Sequence, residues 1–389
     1  MFGKERVVLG GGQAFRKRFG RSQQTIWQRA RRTGCMNRKI TIRDVAEAAG
    51  VSISSVHLAL NGKKGVGEET RQHIQEIAEQ LGYRPNVLAS SLKRKRRTIV
   101  IALPDERGNN RYFYPPIWKG IHDFMEQQLD AADYIELPYS DENELEVKAE
   151  LKERIVERQI DALLTVGHID LLDDEDWQRM ELNEVLITFV NSERRHTKYL
   201  TCVEPYYDVI GRTMAELMTS RITSYGSFFL CAGNPKYLSH ALVVRGFDAY
   251  LMENHLQNLV YKDFSWTMEE TNYIHILREL MRPDIAACGS VFSQGTILLG
   301  RALEESGKAD KLYAVGSDLS QETIERLNAG VINNVIQKNP YAQGFMGLRS
   351  LVDYFNGSTP PEKIYVGADV VFKSNLAMYE GGTSGVMLM

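Results

Sequence analysis

The stretch Thr41-Ile42-Arg43-Asp44-Val45-Ala46-Glu47-Ala48-Ala49-Gly50-Val51-Ser52-Ile53-Ser54-Ser55-Val56-His57-Leu58-Ala59-Leu60 decides how the first quarter of the chain is read. Thr41 followed three residues later by Asp44 has capping-box spacing. The hydroxyl accepts from the backbone and the carboxylate reaches back, so a helix starts here. Val45, Ala46, Ala48 and Ala49 give that helix a compact apolar face. Gly50 ends it where a tight turn needs an unhindered backbone, and Ser52 can cap a second helix running through Val56 and Leu60. A third helix begins near Glu68-Glu69, whose charges suit a helix N-terminus, and turns Ile74, Ile77, Ala78 and Leu81 inward. Helix, glycine turn and helix is the geometry that lays one helix in the DNA major groove. An ordinary three-helix bundle has the same spacing. In the groove, Ser52, Ser54 and Ser55 would bond bases or phosphates, His57 a guanine N7 or a phosphate, and Ile53 a thymine methyl, with Leu58 also exposed.

The flanks carry charge. Residues 1–35 hold nine basic side chains against Glu5 alone, show no helical or strand period, and read as a disordered basic arm; Met36 is an alternative natural start. Downstream, residues 84–97 begin with Arg84-Pro85-Asn86 and end in five consecutive basic residues, which repel one another unless a polyanion or solvent takes the charge. Through Thr98 the chain has 21 Lys+Arg against 7 Asp+Glu, and beyond it 26 against 43. The net charge of −3 therefore conceals a basic head on an acidic body, which suggests a polyanion-binding unit carried by a domain with a different task.

Composition excludes several classes. A chain of 389 residues exceeds one small module, and 43% hydrophobic with 25% charged residues is the usage of a soluble globular protein. No apolar run of about 18 residues is present to span a membrane, and the N-terminus lacks the apolar core of a secretory signal. Cys35, Cys202, Cys231 and Cys288 fit neither a metal clip nor a disulfide framework, so they read as reduced thiols in a cytoplasmic protein.

The ordered motifs Thr41-Ile42-Arg43-Asp44-Val45-Ala46, Ala49-Gly50-Val51-Ser52, Leu60-Asn61-Gly62, Glu69-Thr70-Arg71 and Leu81-Gly82-Tyr83-Arg84-Pro85-Asn86 resemble the DNA-binding headpiece of the LacI family of bacterial transcription regulators. The resemblance implies DNA contacts by Thr41, Ser52, Ile53, Ser54, Ser55, His57, Asn61 and Tyr83. It implies a hinge helix over residues 86–93, where Asn86, Ala89, Lys93 and Arg94 face DNA and Leu92 wedges into the minor groove. A leucine can partly unstack a base step while the basic pair holds phosphates. His57-Leu58 replaces the family's usual Ser and basic residue, and Gly67 its usual Ser cap, so the operator sequence does not carry over.

From Ile99 onward apolar runs alternate with helical stretches. Strands are expected at 99–103, 134–137, 162–166 and 185–189, with helices at 116–130, 142–158 and 174–182. A second series has strands at 227–231, 259–262, 285–288 and 312–316, with helices at 206–220, 239–254, 267–281, 292–306 and 320–329. Such alternation means parallel sheets, and two series in this length mean two doubly wound lobes. The last segments, 334–337, a helix over 341–356 and a strand over 364–372, are similar to the core shared by the LacI family and periplasmic sugar-binding proteins, where the chain crosses between lobes three times. The expected fold class is a small all-α helix-turn-helix headpiece joined to an α/β core of two doubly wound parallel-sheet lobes, periplasmic-binding-protein-like type I. The expected domains are an extension over 1–35, the headpiece over 36–85, hinge and linker over 86–98, and the core over 99–389. Within the core the first lobe takes 99–203 and 341–358, and the second 206–335 and 363–376.

That resemblance places ligand between the lobes at the carboxyl ends of the strands. Val244-Arg245-Gly246-Phe247 resembles the element whose Arg reaches ligand, and Gly316-Ser317-Asp318 the element whose Asp accepts from sugar hydroxyls. Asp105, Tyr112, Phe113, Tyr114, Trp266 and Gln337 join them, and Ser290 stands where the family often has an Asn-Asp pair. No phosphate loop, nucleophile elbow or zinc-protease motif occurs, so no catalysis, metal or cofactor is expected. The chain reads as a ligand-responsive repressor of carbohydrate-utilisation genes. It would bind a pseudo-palindromic operator as a homodimer, with a sugar or sugar derivative as effector; the Gly-rich tail over 381–389 offers no tetramer clasp. The competing reading is a cytoplasmic carbohydrate-binding or carbohydrate-active protein on the same scaffold.

Overall fold

In the computed structural model the described residues are 40–60, 65–81, 83, 96–128, 131–221, 226–256 and 259–379, in two compact units that meet in sequence at Lys95 and Arg96. The first unit contains α1 (Ile42–Ala49), α2 (Ile53–Leu60) and α3 (Glu68–Gln80). The capping box is present: Thr41 N donates to Asp44 Oδ2 at 2.7 Å and Asp44 N to Thr41 Oγ1 at 3.4 Å. Gly50 ends α1 at φ 67°, a left-handed conformation that glycine adopts readily because it has no Cβ. Ser52 caps α2 by accepting from Ser55 N at 3.1 Å. Val45, Ala46, Val56, Ala59, Ile74 and Ile77 form the core. Arg71 on α3 donates to the Leu58 and Ala59 carbonyls, giving acceptors at the end of α2 a partner. Thr41→Ala is expected to lower the stability of this unit by about 1 kcal/mol, read as an earlier thermal transition.

The second unit holds two six-stranded sheets. Its first series is β1 (Thr98–Pro104), α4 (Tyr114–Gln127), β2 (Asp133–Tyr139), α5 (Glu144–Val156), β3 (Ala162–Val166), α6 (Asp174–Leu182), β4 (Leu186–Val190) and β5 (Thr201–Pro205). Its second is α7 (Tyr207–Arg221), β6 (Ser227–Cys231), α8 (Leu238–Glu253), β7 (Val260–Asp263), α9 (Glu270–Leu280), β8 (Ile285–Ser290), α10 (Ser293–Ser306), β9 (Tyr313–Ser317), α11 (Gln321–Ala329) and β10 (Asn334–Gln337). The chain ends with α12 (Pro340–Phe355), β11 (Lys363–Val366) and β12 (Asp369–Phe372). The sheet orders are β11-β5-β4-β3-β1-β2 and β12-β10-β9-β8-β6-β7. All neighbours are parallel except β12, which runs antiparallel to β10. The fold is the two-lobed, periplasmic-binding-protein-like type I arrangement. The strands of the first sheet are buried on both faces at β3 and β5, as covered parallel sheets require.

The chain passes between lobes at residues 205–207, 337–340 and 366–369. Two features differ from the sequence expectation. The terminal strand divides at Gly367-Ala368: Lys363–Val366 completes the first sheet and only Asp369–Phe372 joins the second, so residues 363–366 belong to the first lobe. The fifth strand of the first sheet, Thr201–Pro205, is absent from the expected series, because it carries an acidic residue in a short run. Its Glu204 is buried and takes a 2.8 Å bond from Lys363 Nζ, so a lysine 159 residues away makes the strand chemically possible. Burial raises the Glu204 carboxyl above the usual range, against the pull of Lys363.

Candidate functional site

The carboxyl ends of β1, β3, β8 and β9 and the loops after them face each other across a cleft of about 660 Å³ between the lobes. From the first lobe come the 3₁₀ turn Gly108–Tyr112 with Phe113 and Tyr114, then Tyr139 and His168 at strand ends. From the second come Tyr237, His240, Trp266, Phe292, Ser293 and Asp318, with Tyr207 and Lys338 at two of the crossings. Phe113 and Tyr114 pack edge to face with centroids 5.4 Å apart. The His168 ring stacks on Tyr237 at 4.5 Å, joining one lobe to the other, and Trp266 lies 5.8 Å from the same tyrosine. Two polar links also bridge the lobes: Gln294 Nε2 donates to Asn109 O at 3.1 Å, and Arg111 pairs with Glu322 at 3.3 Å.

At the floor lies a buried ion pair. Asp318 is 2% exposed and Lys338 5% exposed. Lys338 Nζ donates to Asp318 Oδ2 at 3.0 Å and to Val291 O at 2.9 Å, and Ser293 Oγ donates to the same Asp318 oxygen at 2.8 Å. Asp318 Oδ1 is buried without a hydrogen-bond partner among the described residues, so this residue of the cleft lining keeps acceptor capacity that the ion pair does not use. The residue sits at φ 61°, a left-handed conformation that Asp tolerates better than branched residues.

Both histidines are held neutral. Burial lowers His168 from 6.5 to about 4, against Asp170, and burial with the Lys338 charge lowers His240 to about 3. An unfolded chain binds these protons near pH 6.5, whereas the fold accepts them only near pH 3–4. Stability from this source is therefore complete above pH 6.5 and is lost as pH falls toward 4. The expected slope is at most about 1.4 kcal/mol per pH unit for each histidine. A pH series of chemical denaturation curves checks this, and a His168→Gln/His240→Gln variant with an unaltered slope would contradict it.

Of the expected ligand residues, Tyr112, Phe113, Tyr114, Trp266 and Asp318 line the cleft. The other four are placed elsewhere. Arg245 projects from α8 with its side chain 66% exposed and pairs with Asp208 at 3.1 Å, because its helix turns Phe247 into the core and Gly246 onto α7. Asp105 organises its own loop, accepting from Arg107 N and Asn110 Nδ2. Ser290 donates to Phe292 O, two residues on. Gln337 accepts from Leu319 N, and its neighbour Lys338 enters the cleft instead. His168 and Tyr139 could have been found by the rule that strand ends bind ligand. Tyr207 follows the unexpected β5, and Tyr237 lies in a loop with no sequence signal. Among the described residues, no group of three His, Cys, Asp or Glu could hold a metal ion, and no helix is long and apolar enough to cross a membrane.

In the first unit, Ser52, Ile53, Ser54 and His57 lie exposed around the start and outer face of α2, and Ser55 is half-buried. Thr41 is exposed at its cap position, and Tyr83 packs half-buried against the helical core. Asn61, Asn86, Ala89, Leu92, Lys93 and Arg94 lie outside the described residues.

Residues 101–359 match the family described as periplasmic binding protein domain, and residues 41–86 match bacterial regulatory proteins, lacI family. The chain belongs to the periplasmic binding protein family and carries a lacI-family headpiece. The resemblance read from the motifs after Thr41 is thereby borne out. Among curated relatives, HTH-type transcriptional regulator RegA of Clostridium saccharobutylicum is 35% identical over 125 residues, covering 32% of this chain and 36% of that protein. Catabolite control protein A of Staphylococcus aureus strain Mu50 is 24% identical over 221 residues, covering 56% and 63%. The chain thus spans less than two thirds of the length of each. For the periplasmic-binding-protein core, a putative LacI transcriptional regulator from Bacteroides fragilis superposes with a TM-score of 0.64 at 16% identity, over 73% of this chain and all of that one. A periplasmic solute binding protein from Actinobacillus succinogenes, solved with bound D-allose, gives 0.62 at 18%, over the same shares. These likenesses establish the fold of the core.

Proposed function

We propose that this lacI-family protein is a ligand-responsive DNA-binding regulator that represses genes of carbohydrate use, with a sugar or sugar derivative as effector. The observation that carries the reading is a single chain with two parts: a lacI-family headpiece exposing the N-terminal face of α2, and a core with an aromatic, polar cleft between two lobes. Ser52, Ile53, Ser54, Ser55 and His57 would read base edges, and Thr41, Asn61 and Tyr83 would bond the backbone. Asn86 and Ala89 would face DNA beside Leu92, which would wedge into the minor groove while Lys93 and Arg94 hold phosphates. One headpiece reads a half-site, so the working form is a homodimer whose two-fold axis matches a pseudo-palindromic operator.

Asp318 Oδ1 and the aromatic walls suit hydroxyl groups and sugar ring faces, and the solved relative with D-allose supports that class. Ligand would tighten the lobes about the three crossings, and the coupling to DNA equals its difference in affinity between the two lobe arrangements. The test is binding to the DNA flanking its own gene at fixed salt, with and without a panel of sugars. A sequence-specific complex that one sugar releases or strengthens is expected; salt-sensitive binding without sequence preference or ligand response would overturn the reading. Leu92→Ala is expected to weaken specific binding with ligand binding intact.

A further inference from the structure

The charge of the cleft goes further than its shape, and the inference rests on the reading of this cleft as the effector site. Its described lining includes five carboxylates, Asp141, Glu144, Asp170, Glu269 and Asp318, against one cation, Lys338. That cation is already committed to Asp318 and to the Val291 carbonyl. Asp141, Asp170 and Glu269 are exposed and stand over the entrance. The two half-buried imidazole rings that could have supplied positive charge, His168 and His240, stay neutral at physiological pH because loss of solvent disfavours their charged forms. Asp318 lines the cleft as well, and its buried Oδ1 has no hydrogen-bond partner among the described residues, a carboxylate oxygen that favours a donor. The remaining walls are faces and edges of Tyr114, Tyr139, Tyr237, Trp266 and Phe292, whose ring quadrupoles attract cations.

We propose that the cleft ranks ligands of one shape by charge, ammonium-bearing above neutral and neutral above anionic, so that the effector is an amino sugar or an uncharged sugar and never a phosphorylated or carboxylated one. An anion entering the cleft meets negative charge at the mouth, and the one cation among the described lining residues is already paired with Asp318 and cannot receive it. A sugar ammonium meets Asp318 Oδ1 within an aromatic enclosure.

The test is calorimetric titration of the full chain with D-glucosamine, D-glucose and D-glucose 6-phosphate, the corresponding galactose series, and choline as a cation that is not a sugar. Affinity is expected to fall on the order of tenfold for each unit of charge made more negative, and the spacing to narrow as salt rises to a Debye length of about 8 Å. An Asp141→Asn/Asp170→Asn/Glu269→Gln variant should compress the ranking, and a ranking unchanged in it would overturn the role of the mouth carboxylates. A phosphate ester binding as tightly as its parent sugar would overturn the proposal. Sugars that bind with no dependence on charge would overturn the ranking while leaving the sugar effector proposed above; binding of choline with none of the sugars, or no binding by any probe, would overturn both.

Discussion

Lys338→Met is expected to lower the unfolding free energy of the core by about 3–5 kcal/mol. The substitution removes the only described cation on a carboxylate that is 2% exposed, leaving Asp318 with the Ser293 hydroxyl and a buried, uncompensated charge. The cost is that of the orphaned charge more than the worth of the pair, and a second substitution separates the two. Asp318→Asn in the Lys338→Met background removes the charge, keeps a residue that tolerates φ 61°, and should recover most of the loss. Denaturant unfolding of the two variants checks this. If the double variant is as unstable as the single one, the loss comes from packing of the lysine stem and not from charge.

The second large effect is expected from one methyl group. In the first lobe α4 and α12 cross at reciprocal glycines: a Cβ on Gly344 would stand 2.1 Å from Ile117 O, and one on Gly120 would stand 2.2 Å from Tyr341 O. The second lobe repeats the device between α7 and α8, where a Cβ on Gly211 would meet Val243 O at 1.9 Å and one on Gly246 would meet Asp208 O at 2.0 Å. The obstacle is backbone in each case, so no side chain can swing aside and the helices must separate. Gly344→Ala should therefore destabilise by about 3 kcal/mol, even though alanine is the better helix former by about 1 kcal/mol. Gly367→Ala, at a position with nothing within 4 Å of the added carbon, is the control and should be close to neutral. Equal melting temperatures for the two variants would remove the close-crossing explanation.

The same glycines show how far the sequence can be read. Gly246 is visible in the motif Arg245-Gly246-Phe247, yet in the fold the motif packs α8 on α7 and sends Arg245 to Asp208 on the surface. A short motif records that three residue types stay together; it does not state which face of the helix looks at the ligand.

The local and periodic features are legible in the amino-acid sequence alone. The Thr41–Asp44 capping box, the break at Gly50, the start of α3 at Glu68 and the alternation of strands and helices all depend on side chains within a few residues of one another. The two-lobed core and its headpiece follow from that pattern. What only the tertiary structure decides depends on partners far apart in sequence. The terminal strand divides between two sheets because the third crossing falls at Gly367-Ala368. β5 carries a buried Glu204 to which Lys363, on the neighbouring β11, donates. Lys338, not Gln337, reaches the cleft, where the charge of Asp318 receives it from 20 residues away. Periodicity specifies which face of each element is apolar, whereas the position of a charged tip is set by which distant group compensates its burial, and that is determined only when strands far apart in sequence come together in one sheet.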